Sequence, residues 1–116
     1  MAAKIINDLG YISITDDVIA TIAGTAAVES YGVVGMVAKR ATDGIMELLG
    51  RDNIMRGVRV DTSNDRLVIN LYIIVQYGIS IAQAGSSLVE AVKFNVQKLT
   101  GLEVDSVNVM IQDIRV

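Results

Sequence analysis

Neither cysteine nor histidine occurs among the 116 residues, and together the two absences remove disulfides, thiolate nucleophiles, imidazole bases and the usual zinc ligands. A metal site would have to be assembled from carboxylates alone. Basic charge is also scarce: 10 Lys and Arg stand against 13 Asp and Glu, a net charge of -3, so nucleic acid is not an expected partner. No apolar run approaches the ~20 residues of a membrane span, and residues 1–8 lack the apolar core of a signal peptide. The expected location is therefore cytoplasmic. The chain has no Walker-type phosphate loop, nucleophile elbow or dinucleotide fingerprint, so neither a cofactor nor an enzymatic activity is expected. What it has is 52% hydrophobic residues, enough apolar surface to build a core, and its length predicts one domain over residues 1–116.

Apolar periodicity and end signals divide the chain. Residues 9–14 read as a short strand. Thr15 then offers a hydroxyl as N-cap, with Asp16 and Asp17 in the first turn of a helix over residues 16–30. Ala20, Ala23, Gly24 and Ala27 make much of that helix narrow and smooth, which suits close packing; Gly24 costs roughly 1 kcal/mol of helix propensity relative to Ala, so it is expected to serve close approach. A valine-rich strand follows at 32–38, then a short helix at 42–49 ended by Gly50, a loop at 51–53 and a strand at 57–61. The cluster Thr62-Ser63-Asn64-Asp65 is turn chemistry, predicting a hairpin with a strand over 66–77. Ser80 and Gln83 form a capping box for the most periodic helix of the chain, in which Ile81, Ala84, Leu88, Val92, Val96 and Leu99 share a face and Gly101 is the stop. The last strand, residues 103–114, points Val107, Val109 and Ile111 inward. The order predicts an α+β fold: a two-layer sandwich, a mixed sheet with two long helices on one face and one short extra helix.

Most chemistry-bearing groupings have a structural explanation. Asp16 and Asp17 are neighbours on a helix and diverge, so they read as capping charges rather than an acid–base pair. Asp105 and Asp113, eight residues apart on one strand, are separated by about 27 Å and cannot share an ion. Gly32-Val33-Val34-Gly35 matches the Gly-x-x-Gly of KH domains, but Tyr31 precedes it and Met36-Val37-Ala38 continues as strand, so glycines that let a buried strand enter and turn are the better account.

Two surfaces stand out. In the strand over 66–77, Leu67, Ile69, Leu71, Ile73 and Val75 fill one face, while Val68, Tyr72 and Ile74 make the other apolar as well. Either a second layer or another protein is expected to cover it. Six of the ten basic residues fall between 39 and 66, interleaved with apolar side chains. Met46, Arg51 and Arg56 in that stretch are candidates for docking an acidic partner or an anionic surface.

Gly10-Tyr11-Ile12-Ser13-Ile14, Asp17-Val18-Ile19 and Gly32-Val33-Val34-Gly35, followed by Leu71-Tyr72-Ile73-Ile74-Val75-Gln76-Tyr77-Gly78 and the segment from Gly101 to Val109, resemble the alkaline-shock, general-stress envelope protein family of Gram-positive bacteria. The resemblance covers nearly the whole chain. It implies a non-enzymatic scaffold or adaptor in cell-envelope homeostasis, acting through protein partners near the inner membrane surface, a membrane-embedded anchor among them, and able to form homo-oligomers. The family has no established catalytic residues to carry over. The chain lacks the extended charged tails of the larger stress members and so looks like a compact, housekeeping branch. Two other readings stay open: a regulatory subunit of a lipid or phosphorylation enzyme, and a KH-like RNA-binding module.

Overall fold

In the computed structural model of the chain, which describes residues 2–38, 48–63 and 66–116, the α+β class is observed directly. Strands β1 (Ala2–Asn7) and β2 (Gly10–Thr15) form an antiparallel hairpin that is a sheet of its own. Helix α1 (Asp16–Val28) follows β2 without a spare residue, and Val18 donates its backbone N–H to the Thr15 hydroxyl oxygen. Strands β3 (Val33–Val37), β4 (Leu48–Leu49), β5 (Val58–Asp61), β6 (Val68–Gln76) and β7 (Ser106–Arg115) form the main sheet, and helix α2 (Ile81–Thr100) connects β6 to β7.

The sheet is organised around β6. One of its edges is shared, β5 pairing with Val68–Leu71 and β3 with Ile73–Val75, both antiparallel, and β4 extends the sheet beyond β3. Its other edge carries β7, parallel, along its whole length. A parallel neighbour requires a crossover connection, which α2 supplies. Gln83 donates its backbone N–H to the Ser80 hydroxyl oxygen at the helix start, and Gly101 ends it at φ +74, giving its N–H to the Gln97 carbonyl oxygen.

The core gathers alternate residues of β6, namely Ile69, Leu71, Ile73 and Val75, with Ile19, Ala20, Ala23 and Ala27 of α1 and Leu88, Val92 and Val96 of α2. The small-residue face of α1 is thus the buried one, while Val18 is nearly half exposed. In α2 the buried line runs at every fourth residue from Leu88 to Thr100. Leu99, expected on that face, stands 65% exposed.

Three expectations need correction. Among the described residues the strand at 9–14 does not join the main sheet and pairs only with residues 2–7, for which no strand was expected. The positions 48 and 49 assigned to a short helix are the strand β4, and the rest of that segment lies outside the described residues. The loop at 51–53 belongs to a 3-10 segment, Arg51–Gly57, kinked at Asn53. That segment explains Gly24: a Cβ there would run into Ile54, whose branched side chain is buried against α1.

Gly24→Ala should therefore lower stability despite its gain in helix propensity, by about 1–3 kcal/mol. Urea unfolding followed by circular dichroism checks it, and Gly24→Ala should cost less in a chain already carrying Ile54→Ala, which removes the Cγ2 methyl that the new side chain meets.

Candidate functional site

The hairpin turns on two residues. The side-chain oxygen of Asn7 accepts the Leu9 backbone N–H at 2.8 Å, and Gly10 takes φ +150. Register places Ile5 opposite Ile12 and Ile6 opposite Tyr11, with the Lys4 ammonium 4.8 Å from the Tyr11 ring centre. At its base Ala3 and Ile14 pack against the core, and Ile5 lies against Gly101. Its far end is bare: Leu9 is 99% exposed, Ile6 77%, Tyr11 65% and Ile12 56%. Because Ile12 shares a face with Ile5, and Ile6 and Tyr11 occupy the other, both faces of the arm are apolar toward the tip. An isolated two-stranded hairpin is marginally stable in water, so an arm of this composition gains from being covered. The molecule measures 53 by 30 by 24 Å.

Beneath the arm lies a cleft of about 470 Å³, lined by Lys4, Arg66 and Glu103 together with apolar Ile6, Leu67 and Leu102. Among the described residues the buried Thr62 hydroxyl oxygen has no hydrogen-bond partner. Next to it, the backbone N–H and hydroxyl of Ser63, with help from Arg59, hold the Asp61 carboxyl below its usual range. Among the described residues no three His, Cys, Asp or Glu side chains gather as a metal site.

The residues singled out from the sequence separate into two groups. Val68, Tyr72 and Ile74 share the face of β6 turned away from the core cluster, as expected from alternation; Val68 and Tyr72 are half-buried. Ile74, however, is 1% exposed, as is Val37 on β3, and neither belongs to the main core. The part of that face around Ile74 and Val37 is thus already closed within the chain. Arg51 and Arg56 stand on the 3-10 segment, Arg56 exposed in its last turn, and Met46 lies outside the described residues. Gly32 enters β3 at φ +85 and Gly35 lies within that strand, so the Gly-x-x-Gly is not a loop between two helices. The apolar arm tip was not anticipated, although Asn7-Asp8-Leu9-Gly10 between two isoleucine-bearing runs is the sequence signal for a hairpin.

A family model described as having a cell envelope-related function matches residues 4–116. The chain belongs to the alkaline-shock protein 23 family. It is 41% identical to the uncharacterized protein YloU of Bacillus subtilis (strain 168), over all of this chain and 98% of that one. It is 39% identical to the uncharacterized protein Spy1614 of Streptococcus pyogenes serotype M6, over all of this chain and 97% of that one. With YqhY of Bacillus subtilis (strain 168), also uncharacterized, identity is 36% over 92% of this chain and 78% of that one. No solved structure matches. The family expected from the strand, helix and glycine signatures is thus the one the whole-chain comparison shows.

For this family member the burial of Ile74 separates two neighbouring substitutions. Ile74→Asp places a carboxylate in a closed apolar site and should abolish cooperative unfolding, whereas Tyr72→Asp, on a half-buried position, should cost roughly 1–3 kcal/mol and leave the fold intact. Thermal melts of the two variants read the difference.

Proposed function

We propose that the protein is a non-enzymatic adaptor in a cell-envelope process, and that its β1–β2 arm docks into an apolar cleft of a protein partner held at the inner membrane surface. The observation that carries this is the arm itself: four large apolar side chains exposed around one two-residue turn. Their cover by a partner would remove roughly 100 Å² or more of apolar surface each, worth on the order of 2 kcal/mol apiece before association costs. The family's cell envelope-related description agrees with such a role. Among the described residues no helix is long and apolar enough to cross a membrane, so the approach to the envelope runs through the partner. The outer-face residues Val68 and Tyr72 and, separately, Arg51 and Arg56 of the 3-10 segment are two further candidate contacts within the same reading.

Leu9→Asp and Ile6→Asp should abolish recovery of the partner in a quantitative pull-down from membrane-containing extract, with the helix content of each variant unchanged. Undiminished recovery with both variants would discard the arm as the docking element. A partner that proves to be a soluble metabolic enzyme would replace the envelope adaptor by a regulatory subunit.

A further inference from the structure

β7 spans ten residues and, among the described residues, pairs only with β6. Two hydrogen bonds at the strand ends fix which of its main-chain groups are engaged. Gln76 donates its backbone N–H to the Gly32 carbonyl oxygen at 2.9 Å, so the even-numbered residues of β6 turn their backbone groups toward β3 and β5, and the odd-numbered ones toward β7. Tyr77, odd-numbered, gives its N–H to the Arg115 carbonyl oxygen at 2.8 Å. In a parallel ladder, a residue opposite one that faces its neighbour turns its own groups away. Ile69, Leu71 and Ile73 stand opposite Val107, Val109 and Ile111, so those three aim their N–H and C=O groups out of the sheet. Strand edges that stand alone in water usually carry lysine, proline or a bulge. The stretch from Ser106 to Ile111 has no charge, no proline and no bulge; the bulge comes after it, at Gln112.

The same strand borders a groove. The first half of α2 and the inner face of β7 leave an opening of about 430 Å³ between them, lined by Ala82, Gly85, Val89, Val109 and Ile111. Two of the three edge residues are thus also its wall. Glu90 is the one charged residue among the described lining, and among the described residues it makes no ion pair. A Cβ on Gly85 would meet nothing within 4 Å, and glycine inside a helix weakens it, so this position leaves room beside β7 at the expense of α2.

We infer that this edge and groove together bind an extended segment of a different protein, which joins the main sheet as a strand beside β7. Each part of the site specifies part of the occupant. The outward groups of Val107, Val109 and Ile111 call for a backbone whose own donors and acceptors are free, which a strand offers and a helix does not. Side chains of an added strand alternate faces, so its residues next to Val109 and Ile111 point to the α2 side and enter the groove, whose lining suits aliphatic side chains two positions apart. Glu90 adds a lysine or arginine to that pattern. A second copy of β7 lacks such a cation in the stretch that would pair, Ser106 to Ile111, so the charge points to a different chain with a basic, valine- or isoleucine-bearing segment. Among the described residues none of the β1–β2 arm lines the groove. The site is therefore separate from the docking proposed for the arm.

Amide hydrogen exchange reads the edge directly. In the free chain Val109 and Ile111 should exchange about tenfold or more faster than Asn108 and Met110, whose N–H groups bond to β6. The probe for the occupant is a display library of random peptides about ten residues long. It should enrich sequences with valine, isoleucine or leucine at alternate positions and a lysine or arginine beside them, and an enriched peptide should slow exchange at Val109 and Ile111. Methylating the peptide's backbone nitrogens at alternate residues should abolish binding in one phase and spare it in the other, as only strand addition requires. By fluorescence anisotropy, Gly85→Leu, which fills the groove from the helix, should weaken the peptide about tenfold and Glu90→Lys about fivefold, while Leu9→Asp on the arm should leave it unchanged. Slow exchange at Val109 and Ile111 in the free chain overturns the inference, and where that protection grows with protein concentration the edge belongs to a second copy. No enrichment, enriched peptides without the alternation, or binding indifferent to both groove variants also overturns it. If Gly85→Leu does not fold, Glu90→Lys and the methylated peptides decide.

Discussion

The rest of the molecule hangs on β6, which is hydrogen-bonded along both edges and closed on both faces from Ile73 to Val75. Leu71, Ile73, Ile74 and Val75 are each at most 2% exposed. A strand in that position must satisfy its backbone through three neighbours at once, and this fixes where β3, β5 and β7 go. Of the antiparallel partners, β5 runs into β6 through a short connection, while β3 reaches it from beyond β4, the 3-10 segment and β5. The parallel one must come over a crossover, which is why the longest helix lies between β6 and β7 and why both helices contribute to the same core.

Packing of the helices is decided by small residues rather than by large ones. The buried face of α1 is Ile19, Ala20, Ala23, Gly24 and Ala27, and such a face lets Ile54 of the 3-10 segment press against the helix. α2 meets the sheet through a line of leucine and valines four residues apart. On its side toward β7, Ala82 and Gly85 leave a groove instead of a filled contact. The hairpin stands outside this arrangement. Among the described residues it shares no ladder with the main sheet and packs on the core through its base, Ala3 and Ile14, while its apolar tip lies outside the core cluster.

Much of this order is legible in the residues. Thr15 before two aspartates, Ser80 before Gln83 and Gly101 after an apolar period mark helix ends by chemistry that acts within a few residues, and both helices begin, and α2 ends, at those marks. The alternation in β6 and β7 correctly names the core row. Residues 2–7 were read only for what they lack, since a six-residue run with Lys4 in it has no strong period, and a hairpin forms only when two such runs meet. Positions 48 and 49 read as helix because leucines suit either state; pairing with Met36 and Val37 makes them strand.

The sequence by itself determined the α+β class, the helix limits, the apolar row of β6, the absence of thiol and imidazole chemistry, and the family. Those properties rest on local propensity, side-chain period and composition, each written into short stretches of chain. Only the tertiary structure decided that Ile74 is closed while Leu9 and Ile6 are open, and that the first hairpin forms a sheet apart from the main one among the described residues. Exposure and pairing are relations between segments distant along the chain, and an isoleucine has the same side chain whether another strand covers it or water does.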